Sequence, residues 1–201
     1  MEASLRQADG VASERPLAFD RKSGRLSGAG VIDRVAVLAL QAGSVITRPY
    51  GHRGYRHGCK AVATVVADRD IIVRLNEDAD FAIPFCDGYW SRMLNPRYDY
   101  EEEIEAFLRC AADLRYSFVD CGANFGYWSV LASSRPFGRQ PTLAIEASPE
   151  NAKRLGANAL LNGDRFRWLN AAVGGQAAGF VRITGARHEA LETLRLTENE
   201  P

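Results

Sequence analysis

Apolar residues along this chain fall into short runs closed by glycine or by an acid, and the order of those closures predicts the fold. Phe118-Val119 reads as a buried strand that meets Asp120; a tight turn, Gly122-Ala123-Asn124-Phe125-Gly126, follows, and the chain resumes as a helix-compatible run from Tyr127 to Ala132. A second strand, Thr142 to Ile145, leads to Glu146. Ser148-Pro149-Glu150 then has the signature of a helix start, with an N-cap, a proline at the first helical position and an acid beside the dipole. That helix runs to Leu161, places Leu155, Asn158 and Leu161 on related faces, and stops at Gly163. Arg167-Trp168-Leu169 begins a third strand ending at Asn170-Ala171-Ala172, with short strands at Phe180 to Ile183 and Leu194 to Leu196 beyond it. Strand-helix alternation from 117 onward predicts a parallel, doubly wound sheet with its ligand at the carboxyl ends of the strands.

The upstream pattern is different. Residues 1–28 are polar and predict a loose arm. Gly30 to Ile46 is apolar, but Asp33 and Arg34 interrupt it and the remainder is too short to span a bilayer, so a packed helix is expected; an interfacial helix is the minor alternative, its basic face being poor. Arg48 to Lys60 reads as a basic surface loop. His52, His57 and Cys59 within it match no common zinc spacing, and a contact to an anionic substrate group is the functional alternative. Residues 61–75 read as two β-branched strands around a turn at Asp68-Arg69-Asp70, and Phe81 to Phe85 as a further strand. Tyr89-Trp90 either lines a pocket or simply packs. Asp99 to Leu114 predicts a helix with Ile104, Phe107, Leu108, Ala111 and Ala112 on one face and acids in its first turns. The resulting division is an arm at 1–28, a helix, hairpin and lead-in helix at 29–116, and a Rossmann-like half at 117–201.

The chemistry concentrates at the glycine turn. Gly122 and Gly126 supply turn and close-approach positions, and Asn124 is the non-glycine residue that best tolerates a positive φ. Glu146 lies twenty residues beyond Gly126, at the end of the second strand, where an acid accepts a nucleotide's ribose hydroxyls. A nicotinamide or flavin site would suit the same acid, but the G-x-G-x-x-G fingerprint is absent, and Asp120 here precedes a G-x-x-x-G turn.

At these residues the chain resembles the FkbM-type methyltransferases, within the class I S-adenosylmethionine-dependent enzymes. The resemblance rests on FVDCGANFGYWS, AIEASPENAKRLGANALLNG and LNAAVGG, with a further match at YDYEEEIEAFL, and covers Tyr98 to Gly175. It implies a class I methyltransferase-type Rossmann-like sheet that binds S-adenosyl-L-methionine. Asp120, Gly122 and Gly126 would surround the methionine end, Glu146 would hold the ribose, and Asn170-Ala171 would lie near the adenine, with Asn124, Tyr127 and Ala147 also counted among the cofactor-binding residues. Glu101 is open to two readings, a solvated helix-start acid or, by the resemblance, a residue near the cofactor. The implied reaction is O-methylation of a hydroxyl on a small metabolite, sugar or polyketide-like acceptor. No catalytic residue and no metal ligand is assigned.

Composition narrows the partners. Lys+Arg and Asp+Glu are equal at 25 each, so no overall field attracts nucleic acid or an anionic membrane. Cys59, Cys86, Cys110 and Cys121 are scattered without a CxxC pair, which with the polar N-terminus points to reduced, cytoplasmic thiols. The 84 residues from Phe118 to Pro201 give room for three strands and a short excursion, at about 30 residues per βα unit. The expectation is therefore an incomplete sheet, a cofactor-binding fragment whose first strand has an open edge inviting a homodimer. The alternative is that the strands at 61–85 close the gap.

Overall fold

A computed structural model describes residues 16–174 and, beyond them, the backbone of two strands at 181–184 and 193–196. The N-terminal sheet holds β1 (Ala18–Asp20), β2 (Leu26–Ser27), β3 (Asp70–Asn76) and β4 (Ala79–Pro84) in the order β2-β1-β3-β4. Only β1 and β3 run parallel; the other two pairs are antiparallel. The expected polar arm is thus folded from residue 16, because Leu17 and Phe19 are apolar enough to be buried in the core while Asp20 caps the turn through Ser23. Residues 1–15 lie outside the described residues.

Two helices separate β2 from β3. The first, α1 (Val31–Thr47), is the expected packed helix, anchored where Asp33 accepts the Gly30 N–H at 2.7 Å and pairs with Arg69 at 2.6 Å. The basic stretch is not a loop: it forms a 3-10 turn at Arg48–Tyr50 and then α2 (Tyr55–Ala63). Tyr55 and Cys59, four residues apart, form the buried stripe that holds α2 against the rest of the chain. Residues 61–67 were expected as a strand; instead they finish this helix and lead by a turn into β3, so the hairpin turns at Glu77-Asp78. Trp90 is packed in the core against Phe81 and Phe125, in line with the packing reading.

The lead-in helix, α3 (Glu102–Cys110), is shorter than expected and buries little more than Leu108. Phe107, placed on its apolar face by spacing, is 67% exposed. The second sheet contains β5 (Phe118–Cys121), β6 (Thr142–Glu146) and β7 (Arg167–Asn170), all parallel, in the order β5-β6-β7. Its crossovers are α4 (Tyr127–Ala132) and α5 (Pro149–Leu161). Ser148 caps α5 by accepting the Asn151 N–H at 3.4 Å, and Pro149 stands in its first turn. This is a βαβαβ unit of the Rossmann-like kind, and the chain is a mixed α/β protein. A separate antiparallel pair, β8 (Val181–Thr184) with β9 (Thr193–Leu196), lies close to the two short strands read from sequence.

The two sheets share one hydrophobic core, with α4 and α5 lying against β4. The joint is made by asparagine side chains rather than by strand pairing. Asn158 of α5 accepts the Ala82 N–H at 2.7 Å and donates to Ala82 O at 3.2 Å and to Phe125 O at 2.9 Å. One turn on, Asn162 accepts the Asp80 N–H at 3.1 Å and donates to Asp80 O at 2.7 Å. Two amides spaced i, i+4 therefore satisfy the backbone of β4's outer edge, a set of groups that is costly to leave bare. Asp78 at the hairpin tip adds an ion pair to Arg165 at 2.9 Å.

On the parallel sheet, Asp120 and Trp168 face the helices, and the alternate positions face away. There Val119, expected as buried, is 53% exposed. Among the described strands β5 pairs only with β6. The hairpin strands do not fill the edge beside β5; they pack across the helices instead.

Candidate functional site

The carboxyl ends of β5, β6 and β7 meet at the glycine turn. Gly122 and Ala123 both donate their N–H groups to Ile145 O, at 2.8 and 3.0 Å, which binds the turn to the end of β6. Gly122 has φ +80°, and a Cβ there would meet no atom within 4 Å. It is required for its backbone conformation, and the space above it is open. Gly126 differs: at φ +88°, its Cβ would come 2.5 Å from Leu155 Cδ1, so this glycine lets α4 approach α5. The close approach expected of both glycines is thus a protein contact only at Gly126. Asn124 takes the left-handed conformation expected of it, with φ 53°.

Glu146 is the centre of the arrangement. Its Oε2 accepts the Asn124 N–H at 2.7 Å, and its Oε1 accepts the Ser148 N–H at 2.8 Å. One carboxylate, 8% exposed, thereby holds the turn after β5 and the turn after β6 in a fixed relation. Asn170 donates its side-chain amide to Glu146 O at 2.8 Å and Ala147 O at 3.0 Å, and the Ala171 N–H donates to Glu146 O at 3.0 Å. Glu146, Ala147, Asn170 and Ala171 are therefore brought together with the glycine turn.

Asp120 accepts the Ser129 hydroxyl at 2.6 Å. Burial holds its carboxyl above the ordinary 3.8, opposed by the Ser129 bonds and reinforced by the charges of Glu146 and Glu101. The sign follows from proton binding. A carboxyl raised in the fold binds its proton more tightly than in the unfolded chain, so ionised Asp120 costs stability as pH climbs from the ordinary range through the raised value. Asp120→Asn, which keeps an acceptor for Ser129, is expected to be more stable than the parent above that window and equal to or below it at lower pH. Urea midpoints measured across pH 3–8 check this; parallel pH curves for the two proteins would contradict it.

Glu101 joins the site from a distance in sequence. It sits at φ 49° ahead of α3 and accepts the Trp128 indole N–H at 2.7 Å, so it serves both as a helix-start residue and as a neighbour of the turn. The Tyr127 ring packs edge-on against Phe81 and Tyr100 in the core. Trp128, Ser129 and Ser148 are the contributors that sequence reasoning missed. Ser129 had a signal, being a lone polar residue in the apolar run Tyr127 to Ala132.

The histidines and cysteines upstream do not converge. His52 packs edge-on to Tyr98, His57 is exposed, and Cys59 is buried. Among the described residues no group of three or more potential metal ligands forms. All four cysteines are free thiols. Burial pushes Cys59 up to about 12 and Cys86 up to about 11, so neither is a ready nucleophile. Cys121 ends β5 beside the turn but points to the exposed face, and Cys121→Ser is expected to leave ligand affinity within about twofold by titration, as surface substitutions generally do.

No family model matches the chain, and no curated protein is significantly similar to it in sequence. Among solved structures, PH0793 of Pyrococcus horikoshii, described as a transferase on provisional grounds, aligns over 63% of this chain and 49% of its own at 18% identity, with a TM-score of 0.39. P. horikoshii TYW2 in complex with MeSAdo aligns over the same shares at 16% identity, with a TM-score of 0.36. The chain thus spans about half the length of each. The α/β, Rossmann-like assignment stands on the strand order and parallel pairing themselves. Among the described residues no helix is long and apolar enough to cross a membrane.

Proposed function

We propose that the chain binds S-adenosyl-L-methionine over the Gly122 turn and acts as a class I methyltransferase of the FkbM type, with a hydroxyl of a small molecule as acceptor. The observation that supports this reading is the Glu146 bridge beside the open face of Gly122. An acid at the second strand end is locked to the glycine turn, and a side chain at Gly122 would meet no atom within 4 Å. The residues fit the cofactor's chemistry. Glu146 uses one acceptor site per oxygen on the backbone and keeps others for ribose hydroxyls. Asp120, Glu101 and Glu146 together set negative charge around the turn, which suits a sulfonium.

S-adenosylmethionine, when bound, supplies an already activated methyl group, so alignment of the acceptor is the main demand on the protein. The chain's own residues bind and orient. Glu146 fixes the turn, Asn170 holds Glu146 and Ala147 in place, and Ser129 orients the Asp120 carboxylate. Calorimetry with S-adenosylhomocysteine and with NAD(H) tests the proposal. Binding of S-adenosylhomocysteine alone is expected; binding of NAD(H) in its place would overturn it. A second reading, a cofactor-binding unit without transfer chemistry, draws support from the face of the parallel sheet that the described residues leave exposed at Val119 and Leu169, where such sheets are ordinarily covered. It predicts the same binding with no labelled methyl passed to any hydroxyl acceptor.

A further inference from the structure

We infer that α1 and the basic segment following it form a docking face for an anionic lipid surface. The helix is apolar around most of its circumference. Ala36, Val37 and Leu40 pack inward, whereas Val31, Ile32, Val35, Leu38, Val45 and Ile46 are between 56% and 79% exposed. A helix that is hydrophobic all round is ordinarily buried, and a contiguous exposed apolar strip of this kind marks an interaction site. At 17 residues it is about 25 Å long, short of the roughly 30 Å hydrocarbon core, so it would lie in the interface rather than cross it.

The charge around this strip identifies the occupant. From Arg34 to Ala67 there is no acidic residue, while Arg34, Arg48, Arg53, Arg56 and Lys60 all fall there, in a chain whose charges balance only as a whole. Arg34, Arg48, Arg53 and Lys60 are exposed. The segment stays beside the strip because α2 packs on α1, Tyr55 covering Gly43. Tyr50, 70% exposed where the strip meets the cations, is a residue type favoured at headgroup level. A shallow groove of about 310 Å³ adjoins the strip, where Leu38, Ala42, Val45 and Pro96 meet the polar Gln41 and Asn95 and the exposed Arg97. Apolar residues beside amides and a cation suit the boundary between acyl chains and anionic headgroups.

A second copy fits less well. Two-fold pairing through α1 would set the basic segment against its own counterpart or against Arg34, with no acid between them. A contact about 25 Å long and about 10 Å wide also falls far short of the roughly 800 Å² per partner of a stable interface.

Flotation with phosphatidylcholine vesicles, with and without about 30% phosphatidylserine, tests the proposal at low and physiological salt. The protein is expected to float with the anionic vesicles only, and less so as salt rises. Leu38→Asp, at an exposed position that leaves the core intact, is expected to cut binding at least tenfold. Each of Arg48→Gln, Arg53→Gln and Lys60→Gln is expected to cut it about fivefold. Equal binding to neutral vesicles, binding unchanged by Leu38→Asp, or no binding at all would overturn the inference. So would a dimer in light scattering that Leu38→Asp dissociates, since a second copy would then occupy the strip.

Discussion

Replacing Asn158 with leucine is expected to lower the folding free energy by about 3–5 kcal/mol, among the largest effects of any single side chain here. The leucine would fit the volume but abandon Ala82 N–H, Ala82 O and Phe125 O, three backbone groups now held at 2.7–3.2 Å. Each buried group left without a partner costs about 1–3 kcal/mol. Asn158→Asp should also be destabilising, because a carboxylate can accept from Ala82 but cannot donate to either carbonyl. Leu160→Ala, two residues away and 70% exposed, is the control and should change stability by no more than about 0.5 kcal/mol. Urea denaturation of the three variants decides the matter; a loss under about 1 kcal/mol for Asn158→Leu would mean that water reaches the β4 edge as readily as the amide does.

The second large effect is expected at Glu146. Glu146→Ala removes both charge-assisted bonds that join the two turns, each worth about 1.5–3 kcal/mol, and leaves the Asn124 and Ser148 N–H groups bare. Stability without ligand should fall by about 3 kcal/mol or more. Affinity for S-adenosylhomocysteine should fall at least about 100-fold, since ribose acceptors and the geometry of the turn are lost together. Glu146→Gln separates the two contributions. It retains one oxygen acceptor but turns an amide N–H toward the other backbone N–H, so it should lose about half as much stability as Glu146→Ala, about 1.5–3 kcal/mol, while losing about tenfold in affinity. A folded Glu146→Ala protein with unchanged affinity would place the ribose elsewhere.

What could be read from sequence, and what could not, divides along physical lines. Each element from Phe118 to Asn170 was legible because its signal is local. Ser148 and Pro149 start α5 wherever that segment goes, and a G-x-x-x-G turn between apolar runs needs no distant partner to be recognised. Elements upstream depended on partners far away. Tyr55 and Cys59 make a helix of what composition alone reads as a loop, because their stripe finds a core to enter. The β-branched Val62, Val65 and Val66 suggested a strand, but sheet pairing begins only at Asp70, where β1 and β4 are available. Burial was the least legible property. Val119 and Phe107 are apolar and correctly spaced, yet whether such residues are covered depends on which elements pack over them. Within the site, the acid and glycines were visible, but Trp128's bond to Glu101 spans 27 positions and has no sequence signature.

The three tryptophans are distributed so that each reports on a different region of the molecule. Trp90 is sealed in the aromatic core under the N-terminal sheet, Trp128 is hydrogen-bonded beside the glycine turn, and the ring of Trp168 lies over Gly156 at the seam between β7 and α5. Their surroundings differ in polarity and solvent access, so their emission should differ in wavelength and in quenching by iodide. Single-tryptophan versions of the chain would act as three separate optical probes: one for global unfolding, one for ligand arrival at the turn, and one for fraying of the last parallel strand.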